Sequence, residues 1–87
     1  MRKPTLKTGG NAYYDTVFSG LVPVRVTSVR RGDFGTVNAT AVVTADHGAY
    51  RKGMEVKSTT RQIVPRSAIV RRKLSTRVRT YQVVVDA

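Results

Sequence analysis

Five cations, Arg71, Arg72, Lys73, Arg77 and Arg79, fall within a single nine-residue stretch of this chain. Their chemistry is the recognition of anions. A guanidinium presents a planar fork of donors matched to phosphate and is less strongly hydrated than an ammonium. On a strand, Arg77 and Arg79 share one face, with Tyr81 next in line. Alternate side chains on a strand sit roughly 6–7 Å apart, close to the phosphate spacing along a nucleic-acid strand. Arg51, Lys52 and Arg66 form a second set around Tyr50 and Pro65. Arg2, Lys3 and Lys7 form a third, near the start of the chain. Between Arg51 and Arg79 there are ten cations and one acid, Glu55, so this segment holds nine of the eleven net positive charges (10 − 1 = 9). A small domain this basic repels itself unless something anionic shares its surface.

Aromatic rings interleaved with such cations can stack on unpaired bases. Tyr13, Tyr14, Phe34, Tyr50 and Tyr81 are the candidates. A core with no Trp and only two Phe also needs tyrosine rings, so some of the tyrosines are expected inside. Phe34, in the turn sequence Gly32-Asp33-Phe34-Gly35, is the one expected outside. Tyr81 is kept as a candidate because it follows the arginines.

Bond-making chemistry finds little to work with. His47 is the sole histidine and there is no cysteine, so a His/Cys metal set is not available. Asp46-His47-Gly48 reads as a turn, with Asp46 capping it. The five acids, Asp15, Asp33, Asp46, Glu55 and Asp86, are scattered, which does not suit a paired-carboxylate site. The glycines match no phosphate-binding fingerprint. The expectation is a protein that is not an enzyme and uses no metal or cofactor.

The elements that must carry these side chains are strands. Val occurs 15 times and Thr 11, against three Leu and two Ile. β-Branched residues lose rotamer freedom in helices and pack well on sheets. A first strand is predicted over 21–30, where Val22, Val24 and Val26 alternate with Pro23, Arg25 and Thr27. Val29 is out of phase with that set, which predicts a bulge near Thr27-Ser28. Pro23 lacks an amide donor and suggests a strand edge or start. A second strand is predicted over 36–44, with Val37, Ala39, Ala41 and Val43 inward. A third is predicted over 54–59, with Met54 and Val56 inward, and a short fourth over 61–64. Pro65-Arg66-Ser67-Ala68 predicts a tight or 3₁₀ turn, after which Ile69-Val70-Arg71 continues extended. The last strand, 77–86, is expected to be the longest, with Val83-Val84-Val85 buried on both faces. Residues 1–12, with Pro4, Gly9 and Gly10, read as a flexible basic arm ahead of a single domain over 13–87.

Several short strands at this spacing suggest an all-β fold, a small five- to six-stranded, partly open barrel. Tyr50-Arg51-Lys52-Gly53-Met54-Glu55-Val56 resembles the turn and strand of Src-homology-type barrels. Ile63-Val64-Pro65-Arg66-Ser67-Ala68-Ile69-Val70 is similar to the short 3₁₀ segment before their final strand. The resemblance implies the general barrel architecture and no binding residues.

The functional expectation is a basic binding protein that takes DNA or RNA through its phosphates, with little base specificity. Arg71, Arg72, Lys73, Arg77 and Arg79 form its main track, Arg51, Lys52 and Arg66 a second cluster, and Tyr81 and Phe34 its aromatic contacts. The alternative is a protein-interaction module (adaptor, inhibitor or assembly subunit) whose basic face meets an acidic protein. Tyr81-Gln82-Val83-Val84-Val85, uncharged and rich in β formers, would pair with a second copy if it were an edge. No apolar run reaches the roughly 20 residues of a membrane span. A soluble intracellular setting, cytoplasmic or nucleoid-associated, is expected.

Overall fold

The computed structural model describes residues 3–86. Nine strands make it up: β1 (Thr5–Leu6), β2 (Asn11–Thr16), β3 (Gly20–Arg31), β4 (Val37–Val43), β5 (Glu55–Thr59), β6 (Ile63–Pro65), β7 (Ile69–Arg72), β8 (Ser75–Val78) and β9 (Gln82–Val83). Two 3₁₀ turns, Asp33–Gly35 and Arg66–Ala68, are the only helical pieces among the described residues. The all-β class therefore holds, as does the 3₁₀ turn expected after Pro65.

The main sheet has five antiparallel strands in the order β5-β4-β3-β2-β6. At twelve residues β3 is the longest strand and lies at the centre. Its pairing with β4 shifts register between Val26 and Ser28, where the phase of the valines predicts a bulge. Thr27 is the extra residue, and its hydroxyl donates to the Thr40 carbonyl at 3.1 Å. The shift restores the inward phase, so Val22, Val24, Val26 and Val29 are all buried in one core. Ala39, Ala41 and Val43 of β4 face them, joined by Val56, Ile63 and Ala12.

Pro23 does not mark an outer strand. It pairs with Tyr13 inside the sheet, and its carbonyl accepts from the Thr44 amide at 3.0 Å. Carbonyl and nitrogen of one strand residue point the same way. The missing donor therefore faces the end of β4, where the ladder stops at Val43, and no hydrogen bond is lost.

The barrel does not form. The edge strands β5 and β6 share no ladder, and the sheets are not closed upon themselves; the likeness to Src-homology barrels gains no support. What completes the core is a parallel pair, β1 with β9, registering Thr5 with Gln82 and Leu6 with Val83. Leu6 is 1% exposed, and Val83, Val85 and Tyr81 pack against the same cluster.

The segment read as a flexible arm is thus, over its described part, built into the fold. Lys7 to Gly10 makes a turn closed by the Gly10 amide on the Lys7 carbonyl at 3.0 Å. Gly9 then donates to Val26 at 2.7 Å, and Val26 to Gly10 at 3.0 Å. The glycines turn the chain onto β3 instead of freeing it, because Gly9 takes the left-handed conformation at φ 85°. Arg2 lies outside the described residues.

The long final strand is also replaced. Chain 77–86 is broken after β8, and β9 has only two residues. Val84 is 50% exposed, whereas Val83 and Val85 face the core. Met54, expected inward, is 41% exposed because it precedes β5 in the loop. The amides of Gln82, Val84 and Asp86 donate to the carbonyls of Pro4, Leu6 and Val29 at 2.8–2.9 Å. The C-terminal segment therefore spends that side of its backbone within the chain and does not offer it as a pairing edge.

Asp86 finishes the bulge. Its carboxylate accepts from the Val29 amide at 3.0 Å and from the Thr8 hydroxyl at 2.8 and 2.9 Å. The Val29 amide, then the Thr8 hydroxyl, hold this carboxyl below the usual carboxylate range, and the Arg30 charge acts in the same direction.

Two outcomes follow from these contacts. Leu6→Ala is expected to cost about 2–5 kcal/mol in urea unfolding; a loose arm would lose nothing. The fold favours ionised Asp86, so its contribution is present above the ordinary carboxylate pKa and lost as pH falls through the lowered value. Asp86→Asn should lower the melting temperature at neutral pH, and the gap from wild type should shrink on acidification below about pH 4.

Candidate nucleic-acid interface

β7 and β8 form a two-stranded antiparallel ribbon that pairs with nothing else. Its register is Ile69 with Val78, Val70 with Arg77, Arg71 with Thr76 and Arg72 with Ser75. Lys73 and Leu74 make the turn. Every residue from Arg71 to Thr80 is exposed. At the base, Ile69 and Val70 are half-buried, and the Arg79 amide donates to the Ala68 carbonyl at 2.7 Å.

Alternation sorts the arginines. Paired residues share a face, so Val70, Arg72 and Arg77 lie on one side of the ribbon. Arg79 continues that side. Together with Val78 these residues line one shallow groove of about 380 Å³. Arg71, paired with Thr76, is on the opposite face with Ile69 and Val78. The five-cation track expected from the sequence is therefore divided: three arginines on one face, Arg71 on the other and Lys73 at the tip.

None of these cations has a carboxylate partner. Among the described residues one ion pair exists, Lys57 with Glu55 at 3.8 Å, and both side chains are solvated. Asp86, the acid with the most contacts, is engaged by Val29 and Thr8. The ribbon keeps its full charge.

The second cluster is less free. Arg51 donates from Nη1 to the Gly48 carbonyl at 3.0 Å, and the Lys52 amide donates to Asp46 Oδ1 at 2.8 Å. Asp46 thus caps its loop as expected. Arg66 donates from Nε to the Ala12 carbonyl and from Nη2 to Thr44 Oγ1, each at 3.2 Å. Its guanidinium also lies 5.3 Å from the centre of the Tyr13 ring. Arg66 works as a clamp between the Pro65 turn, β2 and the end of β4.

The aromatics divide in the same way. Tyr14 and Tyr50 meet edge to face at 5.7 Å against the core, and burial pushes the Tyr14 phenol up. Tyr81 packs on the core with its hydroxyl donating to the Thr60 carbonyl, and burial pushes its phenol up. Tyr81 does not continue the arginine face, because the strand ends at Val78 and the chain turns inward. Phe34 stands fully exposed, as its turn sequence predicts, at φ 59° and ψ 33°. A bulky side chain in the left-handed region is uncommon. Its neighbours in a groove of about 490 Å³ include Thr59, Thr60 and Arg61.

Three exposed features were not singled out in the sequence. Arg30 and Arg31, at the end of β3, line a cavity with Val85 and Asp86; the adjacent pair before a turn was the available signal. Val17 and Phe18, at the β2–β3 turn, are 90% and 100% exposed. They border a cavity with Tyr14, Tyr50 and Met54. Leu74 is 98% exposed at the ribbon tip. His47 donates from Nε2 to the Ser19 carbonyl at 2.6 Å, tying its loop to the β2–β3 turn. No three His, Cys, Asp or Glu side chains gather among the described residues. No described helix is long and apolar enough to cross a membrane.

The division between clamp and free arginine is measurable. Arg66→Ala should destabilise the fold by about 1–2 kcal/mol through its lost hydrogen bonds, read by thermal melting. It should leave the salt dependence of any polyanion binding unchanged.

Comparison of the chain with protein-family models, with curated proteins and with solved structures finds no match.

Proposed function

We propose that this chain is a non-enzymatic protein that binds nucleic acid through the phosphate backbone, with low sequence specificity. One observation carries the reading: Arg72, Arg77 and Arg79 share one exposed face of the β7–β8 ribbon with no carboxylate to neutralise them. Like charges this close raise the energy of the free protein, and each phosphate they meet relieves that repulsion and releases condensed counterions. Contacts of this kind position a protein on nucleic acid without reading its sequence. Arg71 and Lys73 add charge on the other face and at the tip. Arg51 and Lys52 contribute from the Tyr50 loop, and Phe34 offers a free ring. A cytoplasmic or nucleoid-associated setting accords with this role.

The alternative, a protein-interaction module docking on an acidic protein, has the exposed Val17 and Phe18 beside Met54 in its favour. Such a partner would bind stoichiometrically and would ignore random DNA and RNA.

Fluorescence anisotropy of labelled single-stranded DNA, duplex DNA and RNA against salt concentration tests the proposal. The logarithm of affinity should fall linearly with log salt. Arg77→Ala with Arg79→Ala should weaken binding and flatten that slope by about 1.4–1.8, the share of two phosphate contacts. A wild-type chain that binds none of the three at low salt overturns the reading and favours the acidic protein.

A further inference from the structure

The ribbon carries a feature that phosphate binding does not use. Its turn, Lys73-Leu74, places a leucine in full solvent between strands bearing Arg71, Arg72 and Arg77. No other residue covers it: the ten residues from Arg71 to Thr80 are all exposed, and neither strand pairs beyond the ribbon. The sequence spends one of its three leucines there, although its core, built mostly from valine and alanine, buries only one, Leu6. Nor does the turn need leucine. Phe34 is the sole described non-glycine residue with positive φ, so Lys73 and Leu74 do not form the primed turn that best stabilises a two-residue hairpin.

The ribbon is long enough to reach the floor of a groove of duplex DNA. Four residues per strand give it a reach of roughly 13 Å, against groove depths of about 7.5–8.5 Å. Two paired strands lie about 4.8 Å apart, so with its side chains the ribbon exceeds the roughly 6 Å width of the minor groove of straight B-DNA and seats fully only where a wedge opens that groove. Arginines on both faces then point toward the phosphates on either side of the groove.

We infer that the β7–β8 ribbon enters the minor groove of duplex DNA and that Leu74 wedges between base pairs at its floor, bending the duplex. An apolar side chain inserted at a base step unstacks it and kinks DNA away from the protein, by roughly 20–90° in proteins that work this way. The unstacking cost is offset by the contact of the leucine side chain with the opened base step, where it leaves water. This mechanism rests on the nucleic-acid reading above and adds to it the duplex, the groove and the deformation. An isolated hairpin is marginally stable in water, and the repulsion among its cations loosens it further. Insertion between two phosphate rows removes that repulsion, so the ribbon is stiffest when bound.

The test uses the full chain and a duplex of about 25 base pairs carrying a fluorophore at each end, with energy transfer reporting the end-to-end distance. Wild type should shorten that distance, as a bend of at least about 20° requires. It should also favour a duplex with a central mismatch, whose step is already unstacked. Leu74→Ala should still bind with the wild-type salt slope, yet lose both the bend and the mismatch preference. The Arg77→Ala, Arg79→Ala double variant should lose affinity first. Circular dichroism of Leu74→Ala should match wild type, since the side chain touches nothing in the free protein.

Binding to duplex without a bend, or an equal bend from Leu74→Ala, overturns the wedge while leaving phosphate binding intact. Tight binding to single strands with weak binding to duplex also overturns it, and moves the base contact to the exposed Phe34. Failure to bind any nucleic acid overturns the function proposed above together with the wedge.

Discussion

The structure depends on a single constraint: its core must be assembled mostly from valine and alanine, with only Leu6 and Ile63 larger among its fully buried aliphatics, around one strand. Short side chains reach only a little way from a sheet, so the elements covering them must approach closely. β3 solves this with its bulge at Thr27, which turns Val26 and Val29 to the same side and keeps four valines in one cluster. The bulge frees the Val29 amide and carbonyl from the sheet's regular pattern, and Asp86 takes both, the carboxylate accepting and the amide donating. The C-terminal segment is placed by that exchange. Once there, it brings Val83, Val85 and Tyr81 onto the core beside Leu6.

Charge is arranged by the same economy. A chain with five acids against sixteen bases has few anions with which to neutralise its surface, and Asp46 and Asp86 serve its loops and bulge. Cations that take part in the fold turn to backbone oxygens instead, as Arg66 does with Ala12 and Arg51 with Gly48. The remainder are displaced onto an element that buries almost nothing. A ribbon with no core of its own can hold a dense set of arginines because few apolar contacts compete for their positions, and because solvent screens them until a ligand arrives.

Much of the architecture was legible along the chain. The all-β class, the alternation of β4, the bulge in β3 and the 3₁₀ turn after Pro65 each follow from local pattern, where β-branched residues, phase slips and proline act within a few residues. The partly open barrel, the flexible arm and the long last strand do not form as expected, for a common reason. Each depends on which distant segment lies alongside, and periodicity is silent on partners. Gly9 and Gly10 read as breakers when they are the turn that lays the chain against Val26. The run Val83-Val84-Val85 reads as doubly buried when only alternate residues face the core.

The candidate site divides along the same line. The sequence by itself determined that this protein is strongly basic, that its arginines concentrate after Arg51, and that its residues favour strands, because composition and alternation are local properties. Only the tertiary structure decided which of those arginines are free. Arg66 became a clamp, Arg71 fell on the far face of the ribbon, and Tyr81 turned into the core. Arg72, Arg77 and Arg79 came to share one groove, and Leu74 stood exposed between the strands. A side chain's availability depends on the neighbours that folding supplies, and those neighbours come from parts of the chain far away in sequence.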